Sequence, residues 1–468
     1  MHRKIHHSSK ETKIKTILEN FAEYFSKARF EHLPPEVVEK TKLLIVDYLG
    51  VSIAGLKMDF PTMTVDYLES LEGVEQATMM GASRKVPAIH AALGNGVSAH
   101  ALDMDDGFRY GGVHAGVAVI PAAMAFAESL QLNGKQLILS IVCGYEIVNR
   151  ISKAMNPSHL GRGFHTTGTI GVLGAAAACG VLAGLNKEQM ASALGMAALQ
   201  GAGLLEILND GAMVKPLHPG KAAMGGVLSV EFAKRGAKGP LTALEGEKGL
   251  FKAMADSVNT DGLFDGLGSD FYIMGQYIKF HAACRHIHPA IDGLLDIMRK
   301  ENLSYQEIDA LNVTTYPVAI SFCGTSTLPE TAEAAKFSLA SSCAMAAYYG
   351  DVGEQRYSID TVENTEIKQL ASRVTSSAND RWAQAYPRER GANIELQTTS
   401  GKHFSIEVPL SKGEPENPAS DEDFMRKFKQ NATSQPESLV NQILDTSLAL
   451  DTHEVSALTA LLGKLKVK

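Results

Sequence analysis

Histidine and lysine are concentrated in four short segments of this 468-residue chain. The segments hold eight of the fifteen histidines and are 100–114 (HALDMDDGFRYGGVH), 159–165 (HLGRGFH), 215–221 (KPLHPGK) and 279–289 (KFHAACRHIHP). Each joins His or Lys to Gly or Pro beside apolar stretches, where a loop can present polar groups to a cleft. The sequence therefore predicts one site in which histidines exchange protons and lysines bind an anion.

The first segment contains a set of aspartates followed by a histidine. Asp103, Asp105 and Asp106 precede His114. A carboxylate can orient an imidazole by fixing which nitrogen holds the proton, and the histidine can then exchange protons near neutral pH. The same aspartates could instead cap helices and His114 could be an ordinary loop residue. At this point both interpretations stay open.

His165 lies within a Gly-rich run, GRGFHTTGTIG. A helix that begins at Thr166 or Thr167 would place His165 beside free backbone N–H donors, which favours a carboxylate ligand and a neutral imidazole. The run lacks the G-x-G-x-x-G spacing and a preceding strand, so nucleotide binding is disfavoured. The alternative is ordinary helix packing through glycines.

Two lysines lie in apolar surroundings. Lys215 is in the run MVKPLHPG, and Lys279 lies between Ile278 and Phe280. Two ammonium groups within about 4 Å of one carboxylate could each contribute on the order of 4 kcal/mol at an effective dielectric constant of about 20, before desolvation is subtracted. Either lysine alone could equally extend along the surface to water.

The fourth segment contains the pattern C-x-H-x-H. Cys284, His286 and His288 could be metal ligands, but zinc usually takes four ligands and no second pair stands out. A nucleophilic Cys284 is equally weakly supported, because no triad order is evident. We therefore expect neither a metal nor an organic cofactor, with a zinc enzyme as the alternative.

The composition limits the class of protein. The chain is 45% hydrophobic and 21% charged, which is typical of globular proteins, and its length predicts two domains. A net charge of −8 gives no general attraction for nucleic acid or for an anionic membrane. Five scattered cysteines indicate a reducing, cytoplasmic location. The basic residues 1–15 lack the apolar run of a signal peptide and are expected to be a flexible lead.

The elements that must position these segments are mostly helices. Helical spacing dominates the first three-fifths of the chain, as in a large helical bundle. Residues 166–185 carry no charge over nearly the length of a membrane span, but their small side chains favour closely packed buried helices. Residues 274–411 contain strand-like runs, including the hairpin ANIELQTTSGKHFSIEVPL with its turn at Ser400 and Gly401. Two further runs, 331–350 and 361–375, are each expected to form one helix. The predicted fold is therefore a helical domain (1–273 and 412–468) interrupted by a smaller α/β domain (274–411).

Taken together and in order, these segments resemble the MmgE/PrpD family. The resemblance covers nearly the whole chain and rests on NGVSAHALDMDDG, GVHAGVAVIPAAMAFAE, GFHTTGTIGVLGAAAA, GAMVKPLHPGKAAMGG and IKFHAACRHIHPAIDGL. It implies a helical domain, an α/β lid and a homodimer that acts on a small polycarboxylate without a cofactor. The family's activities are 2-methylcitrate dehydration, cis-aconitate decarboxylation and iminodisuccinate epimerisation.

The resemblance also implies roles for individual residues. Asp103, His114 and His165 match acidic and histidine positions of the family's site, with the histidines as an acid/base pair and Asp103 orienting one of them. Lys215 and Lys279 match its two lysines, expected to hold substrate carboxylates and the developing charge. Further substrate contacts are expected from Arg109 and His286.

One position departs from the pattern. Gly107 stands where cis-aconitate decarboxylases carry a larger polar residue, a difference for which Arg109 would substitute only in part. We therefore expect a lyase of the 2-methylcitrate dehydratase type. The alternatives are an iminodisuccinate-type epimerase, a cis-aconitate decarboxylase and a non-catalytic protein that binds polycarboxylates.

Overall fold

A computed structural model describes residues 15–208, 212–324 and 328–466. These residues are 58% helical and contain one small mixed sheet of four strands, which confirms the predicted fold class of mainly α with a smaller α/β portion. The predicted N-terminal lead falls, except for Lys15, outside the described residues. No helix among the described residues is long and apolar enough to cross a membrane.

Helices make up the first part of the chain. They are α1 (Ile17–Lys27), α2 (Pro35–Gly55), α3 (Asp59–Ser70), α4 (Ala88–His100), α5 (Gly116–Ser129), α6 (Gly134–Met155), α7 (Ser158–Gly161), α8 (Thr166–Leu182), α9 (Lys187–Ala198), α10 (Leu217–Lys234) and α11 (Leu250–Met254). Their starts follow local sequence. Pro35 occupies the first turn of α2, and Asn133 with Gln136 forms a capping box at the start of α6.

Small residues allow the central helices to pack closely. Helix α8 is buried over almost its whole length and contacts α5, α6 and α10. A Cβ atom on Gly226 of α10 would lie 2.4 Å from the Cβ of Ala175, and one on Gly174 would lie 2.3 Å from a methyl of Val148. The uncharged run at 166–185 is therefore the centre of the helical bundle.

The α/β part follows. Its elements are α12 (His288–Glu301), β1 (Ile308–Thr315), α13 (Pro317–Cys323), α14 (Ala332–Ala335), α15 (Leu339–Tyr349), α16 (Ile359–Glu363), α17 (Thr365–Ala371), β2 (Val374–Ala378), α18 (Asp380–Ala385), β3 (Ala392–Thr398) and β4 (His403–Val408). The strand order is β2-β1-β3-β4, with β1 and β2 parallel and the other pairs antiparallel. Ile394 and Leu396 alternate towards the buried face, and helix α12 packs on β3 and β4.

The hairpin is predicted correctly from the sequence, whereas two pairs of helices are each predicted as one helix. The predicted turn at Ser400 and Gly401 joins β3 to β4, with Gly401 in the left-handed conformation (φ +82°). The single helix expected over 331–350 is two helices, because Ser338 caps a new start by accepting a hydrogen bond from the Ser341 amide. The helix expected over 361–375 is interrupted in the same way by Asn364.

The last helices return to the first core. They are α19 (Asp421–Asn431), α20 (Glu437–Leu448) and α21 (Val455–Leu462). The ring of Phe428 lies against Gly50 of α2, and Lys427 Nζ donates to Asp47 Oδ1 over 2.5 Å. The segment after the sheet is therefore fixed to the helical bundle, close to the loop that follows α4.

Candidate functional site

Asp103 lies at the centre of a cluster of charges in the loop after α4. Its backbone is in the left-handed region (φ +51°), and both its carbonyl oxygen and its carboxylate lie against Lys279. Lys215 Nζ lies 2.5 Å from Asp103 Oδ1. Lys279 Nζ donates to Asp103 O over 2.7 Å and lies 3.1 Å from Oδ2. Residues far apart in sequence therefore meet at one carboxylate.

This cluster carries an excess of positive charge. Burial opposes ionisation of Asp103, yet Lys215 and Lys279 hold its pKa well below its ordinary value, so it is a carboxylate. One carboxylate balances only one of the two ammonium groups. The side chain of Lys279 is 1% exposed, and an ammonium has three donors, so both lysines retain N–H groups for another acceptor. The cluster can bind an anionic group of a ligand.

Asp105, not Asp103, is the aspartate that orients the histidines. Both of its oxygens lie 3.0 Å from His100 Nδ1, and Oδ2 lies 3.1 Å from His114 Nδ1. His114 Nδ1 also lies 2.7 Å from the carbonyl oxygen of Asp106. Both partners of His114 Nδ1 are acceptors, so this nitrogen holds the proton and Nε2 is the atom left for chemistry. The lysines occupy the Asp103 carboxylate, so the geometry gives no support to the orienting role expected of Asp103, which stays a prediction.

Asp106 has a third environment. Burial and the neighbouring charge of Asp105 raise its pKa to about 8, so it is protonated at neutral pH. The Tyr145 hydroxyl donates to its Oδ2 over 3.1 Å. Three aspartates within four positions therefore differ in role: one binds lysines, one orients imidazoles and one is neutral.

His165 is the N-cap residue of α8, as the predicted helix start at Thr166 requires. Its backbone N–H donates to Gly203 O over 3.0 Å, and its Nδ1 lies 2.9 Å from His218 Nδ1. Burial, followed by the charge of Lys215, keeps its pKa well below its ordinary value. His165 is therefore neutral and able to accept a proton. The ring of His100 lies 5.7 Å from it and 5.2 Å from the ring of His114.

One cavity of about 340 Å³ brings most of the predicted residues together. Its lining includes Asp103, His114, His165, Lys215, Lys279 and His286. His286 enters from the α/β part, where its Nδ1 lies 2.5 Å from the Tyr316 hydroxyl. The cavity is therefore formed between the helical bundle and the α/β part, and its size suits a small organic acid.

Arg109 is placed elsewhere. Its guanidinium contacts Glu414 (2.9 Å) and Glu416, and the residue is not part of the cavity lining. Two carboxylates already neutralise this cation, so its geometry gives no support to the substrate contact expected of it. The role that Arg109 performs in the structure is to join the loop after α4 to the segment before α19.

Metal binding has one geometric candidate among the described residues. Donor atoms of His100, Asp103 and Asp105 lie within 4.8 Å of one another. Two ammonium groups already contact Asp103, and a cation there would be repelled by them. The C-x-H-x-H pattern does not converge on one point, because His288 contacts Arg285 Nη1 and the Ala283 carbonyl oxygen.

Sequence reasoning missed several residues of the site. His100 and Asp105 belong to the first segment, and the aspartate–histidine pattern there was a usable signal. Tyr277 and Arg390 also line the cavity, and no pattern in the sequence marks either of them. Tyr277 is adjacent to the departure at Gly107, since each backbone N–H of this pair donates to the carbonyl of the other.

Comparison with known proteins identifies the same family over most of the chain. The model of the MmgE/PrpD N-terminal domain matches residues 19–261, and that of the MmgE/PrpD C-terminal domain matches residues 281–451. A cis-aconitate decarboxylase of Aspergillus terreus is 28% identical over 461 residues, which cover 92% of this chain and 93% of that protein. The cis-aconitate decarboxylase of Homo sapiens is 30% identical over 243 residues, about half of each chain (51% and 50%).

Proposed function

Because this chain belongs to the MmgE/PrpD family, we propose that it is an acid/base lyase acting beside a carboxylate of a small tricarboxylate. The observation that carries the proposal is the single cavity lined by two lysines with excess positive charge and by two histidines in different environments. The lysines bind a substrate carboxylate and the negative charge that develops next to it. The histidines move the proton. The proposal requires neither a metal nor an organic cofactor.

The first candidate reaction is decarboxylation of cis-aconitate, supported by the names of the full-length relatives. The carbon–carbon bond to the carboxylate on the methylene group breaks, and carbon dioxide leaves. The electron pair forms a new double bond, and the old double bond becomes a carbanion beside the other terminal carboxylate. That carbanion takes one proton from an acid. Lys215 and Lys279 would hold the carboxylate that shares the charge.

His114 is the proposed proton donor of the two histidines. Asp105 and the Asp106 carbonyl oxygen accept from its Nδ1–H, so Nε2 is the nitrogen that exchanges a proton with the substrate. His165, held neutral by burial and by Lys215, has a free nitrogen lone pair and is the proposed acceptor.

The second candidate is dehydration of a hydroxy acid such as 2-methylcitrate, and the unlike pair of histidines favours it. Neutral His165 would take a proton from the carbon beside a carboxylate, and His114 would give a proton to the departing hydroxyl. A double bond and a water molecule result. Gly107 also favours this candidate, because the residue departs from the decarboxylase pattern.

Incubation with cis-aconitate, 2-methylcitrate, citrate and iminodisuccinate in heavy water, followed by NMR, tests both candidates. Release of carbon dioxide with one deuterium incorporated into the product supports decarboxylation, and loss of water supports dehydration. Deuterium exchange without net conversion would replace the lyase with an epimerase. Binding of tricarboxylates without exchange or turnover would contradict an enzymatic role. Metal analysis of the active protein addresses the zinc alternative.

A further inference from the structure

Arg390 is a cation of the cavity lining that lies apart from the cluster of Lys215, Lys279 and Asp103. It lies in the α/β part between α18 and β3, and its side chain helps to line the cavity while the residue is only 5% exposed. Arginine stays charged under all ordinary conditions. A guanidinium so well buried needs partners for its charge and for its N–H groups.

The structure supplies few of those partners. Arg390 Nη2 donates to the carbonyl oxygen of Arg109 over 2.5 Å, whereas its Nε has no hydrogen-bond partner among the described residues. Within those residues Arg390 also takes part in no ion pair. The carboxylate of Glu414, which adds to its electrostatic surroundings, is bound by Arg109 and Arg285, each at 2.9 Å.

The side chains around Arg390 are aromatic and neutral. Its guanidinium carbon lies 5.9 Å from the ring centre of Tyr277 and 5.8 Å from that of Tyr386. Burial, followed by the charge of Arg390 itself, holds the pKa of His286 well below its ordinary value, so this imidazole is uncharged. Aromatic faces stabilise a cation in part, but they do not balance its charge.

From this contrast we propose that Arg390 binds a second carboxylate of the substrate, in addition to the one bound by Lys215 and Lys279. The inference rests on the proposed function and names the residue that binds a further carboxylate of that small acid. The planar guanidinium suits a carboxylate with two parallel hydrogen bonds. The unpartnered Nε shows that the hydrogen-bonding capacity of this guanidinium is not satisfied by the described residues.

The test compares ligands that differ by one carboxylate. Binding of tricarballylate, glutarate (which lacks the central carboxylate) and methylsuccinate (which lacks a terminal one) is measured by calorimetry on the wild type and on Arg390→Gln. We expect the wild type to prefer tricarballylate to at least one dicarboxylate by about 30-fold or more, in line with a charged hydrogen-bonded contact. The preference should fall below about threefold in the variant, because the two sets of ligands then make the same contacts.

Two further variants separate binding from folding. Arg388→Gln removes an exposed arginine two positions away and should leave the preference unchanged. Arg390→Lys keeps the charge but loses the fork of donors, so it should keep part of the preference, and it carries the test if Arg390→Gln fails to fold.

The outcomes distinguish this proposal from the proposed reaction. An unchanged preference in the Arg390 variants overturns the proposed contact between Arg390 and a carboxylate, even if the wild type turns over its substrate. A preference that depends on Arg390 supports this contact, even if none of the four candidate substrates reacts. A wild type that binds none of the three probes overturns both this contact and the substrate class.

Discussion

The cavity has two walls, one from the helical bundle and one from the α/β part, and their charged side chains are paired differently. On the bundle side, Asp103 meets two lysines and Asp105 meets two histidines, so each carboxylate has cationic or proton-bearing partners. On the α/β side, Arg390 lies among phenols and a neutral imidazole without a carboxylate bound to it among the described residues. The first wall is a connected network of charges with one ammonium group in excess, whereas the second holds a cation that has no charged partner among the described residues.

This difference predicts that the two walls affect different kinetic constants. A connected network of charges fixes protons and ammonium groups before the substrate arrives, which favours the chemical step. A cation without a charged partner gains most when an anionic substrate binds, which favours affinity. Changes on the bundle side should therefore lower kcat, and changes at Arg390 should mainly raise KM.

The largest expected effect comes from the bundle side. Lys215→Ala and His165→Ala should each lower kcat by about 100-fold or more, because each removes a group used for charge stabilisation or proton transfer. Lys221→Ala, an exposed lysine of α10, is the matched control and should leave kcat unchanged. Steady-state kinetics on the substrate identified by NMR makes the measurement. Near-full turnover by both variants would remove the proposed roles.

Asp105→Asn tests whether the contacts between Asp105 and the histidines of the bundle wall contribute to kcat. The amide cannot accept from both imidazoles as the carboxylate does, so Nδ1–H of His114 loses its carboxylate partner and keeps only the carbonyl oxygen of Asp106. We expect kcat to fall by about 10- to 100-fold, because the imidazole itself remains, with KM nearly unchanged.

The control for this variant is a similar pair outside the cavity lining. Asp292 Oδ1 lies 2.8 Å from His281 Nε2, so Asp292→Asn disturbs an aspartate–histidine pair of the α/β part. Its kcat should match the wild type. If both variants lost activity equally, general destabilisation would explain the effect and Asp105 would have no special role.

The fold was predictable where local sequence and packing agree. Helix α6 has strong amphipathic periodicity and a capping box, α2 begins at prolines, and the strands of the β3–β4 hairpin have an alternating pattern. The predictions merged α14 with α15 and α16 with α17, because a cap such as Ser338 or Asn364 has little effect on periodicity. The expected domain boundaries at 273 and 411 remain a prediction.

The site was predictable as a set of segments rather than as a set of contacts. His, Lys and Asp in glycine-containing loops marked the bundle side, and the order of the segments marked the family. Which aspartate meets which cation depends on the left-handed backbone at Asp103, and composition does not reveal it. The sequence did not single out Arg390, because an arginine can be recognised as unpaired only when its surroundings are known.

A substitution at Gly107 tests the contact between the loop after α4 and Tyr277. A Cβ atom there would lie 2.4 Å from Tyr277 Oη and 2.5 Å from Cζ, while hydrogen bonds hold the two backbones together. Gly107→Ala should therefore displace the phenol and destabilise the protein by ~1–3 kcal/mol, as overpacking does. Urea denaturation measures this change. Gly161→Ala, also at the cavity but with no atom within 4 Å of the added Cβ, is the control.

A second substitution identifies the cause of that destabilisation. Gly107→Ala combined with Tyr277→Ala removes the clashing ring, so the combined loss should be smaller than the sum of the two single losses. Strict additivity would mean that the phenol does not fill the space beside residue 107.

The smallest expected effect concerns the neutral aspartate behind the bundle wall. Asp106 keeps its proton to about pH 8 in the folded chain, whereas in the unfolded chain it ionises near its ordinary value of 3.8. The folded state thus binds more protons between these values, and its contribution to stability falls as the pH rises, by at most about 1.4 kcal/mol per unit. Asp106→Asn cannot ionise, so this part of the pH dependence should disappear. Urea denaturation at pH 6 and pH 7 should show the variant gaining on the wild type at the higher pH. Parallel behaviour of the two proteins would mean that Asp106 is ionised like Asp103, and the bundle wall would then carry one more negative charge.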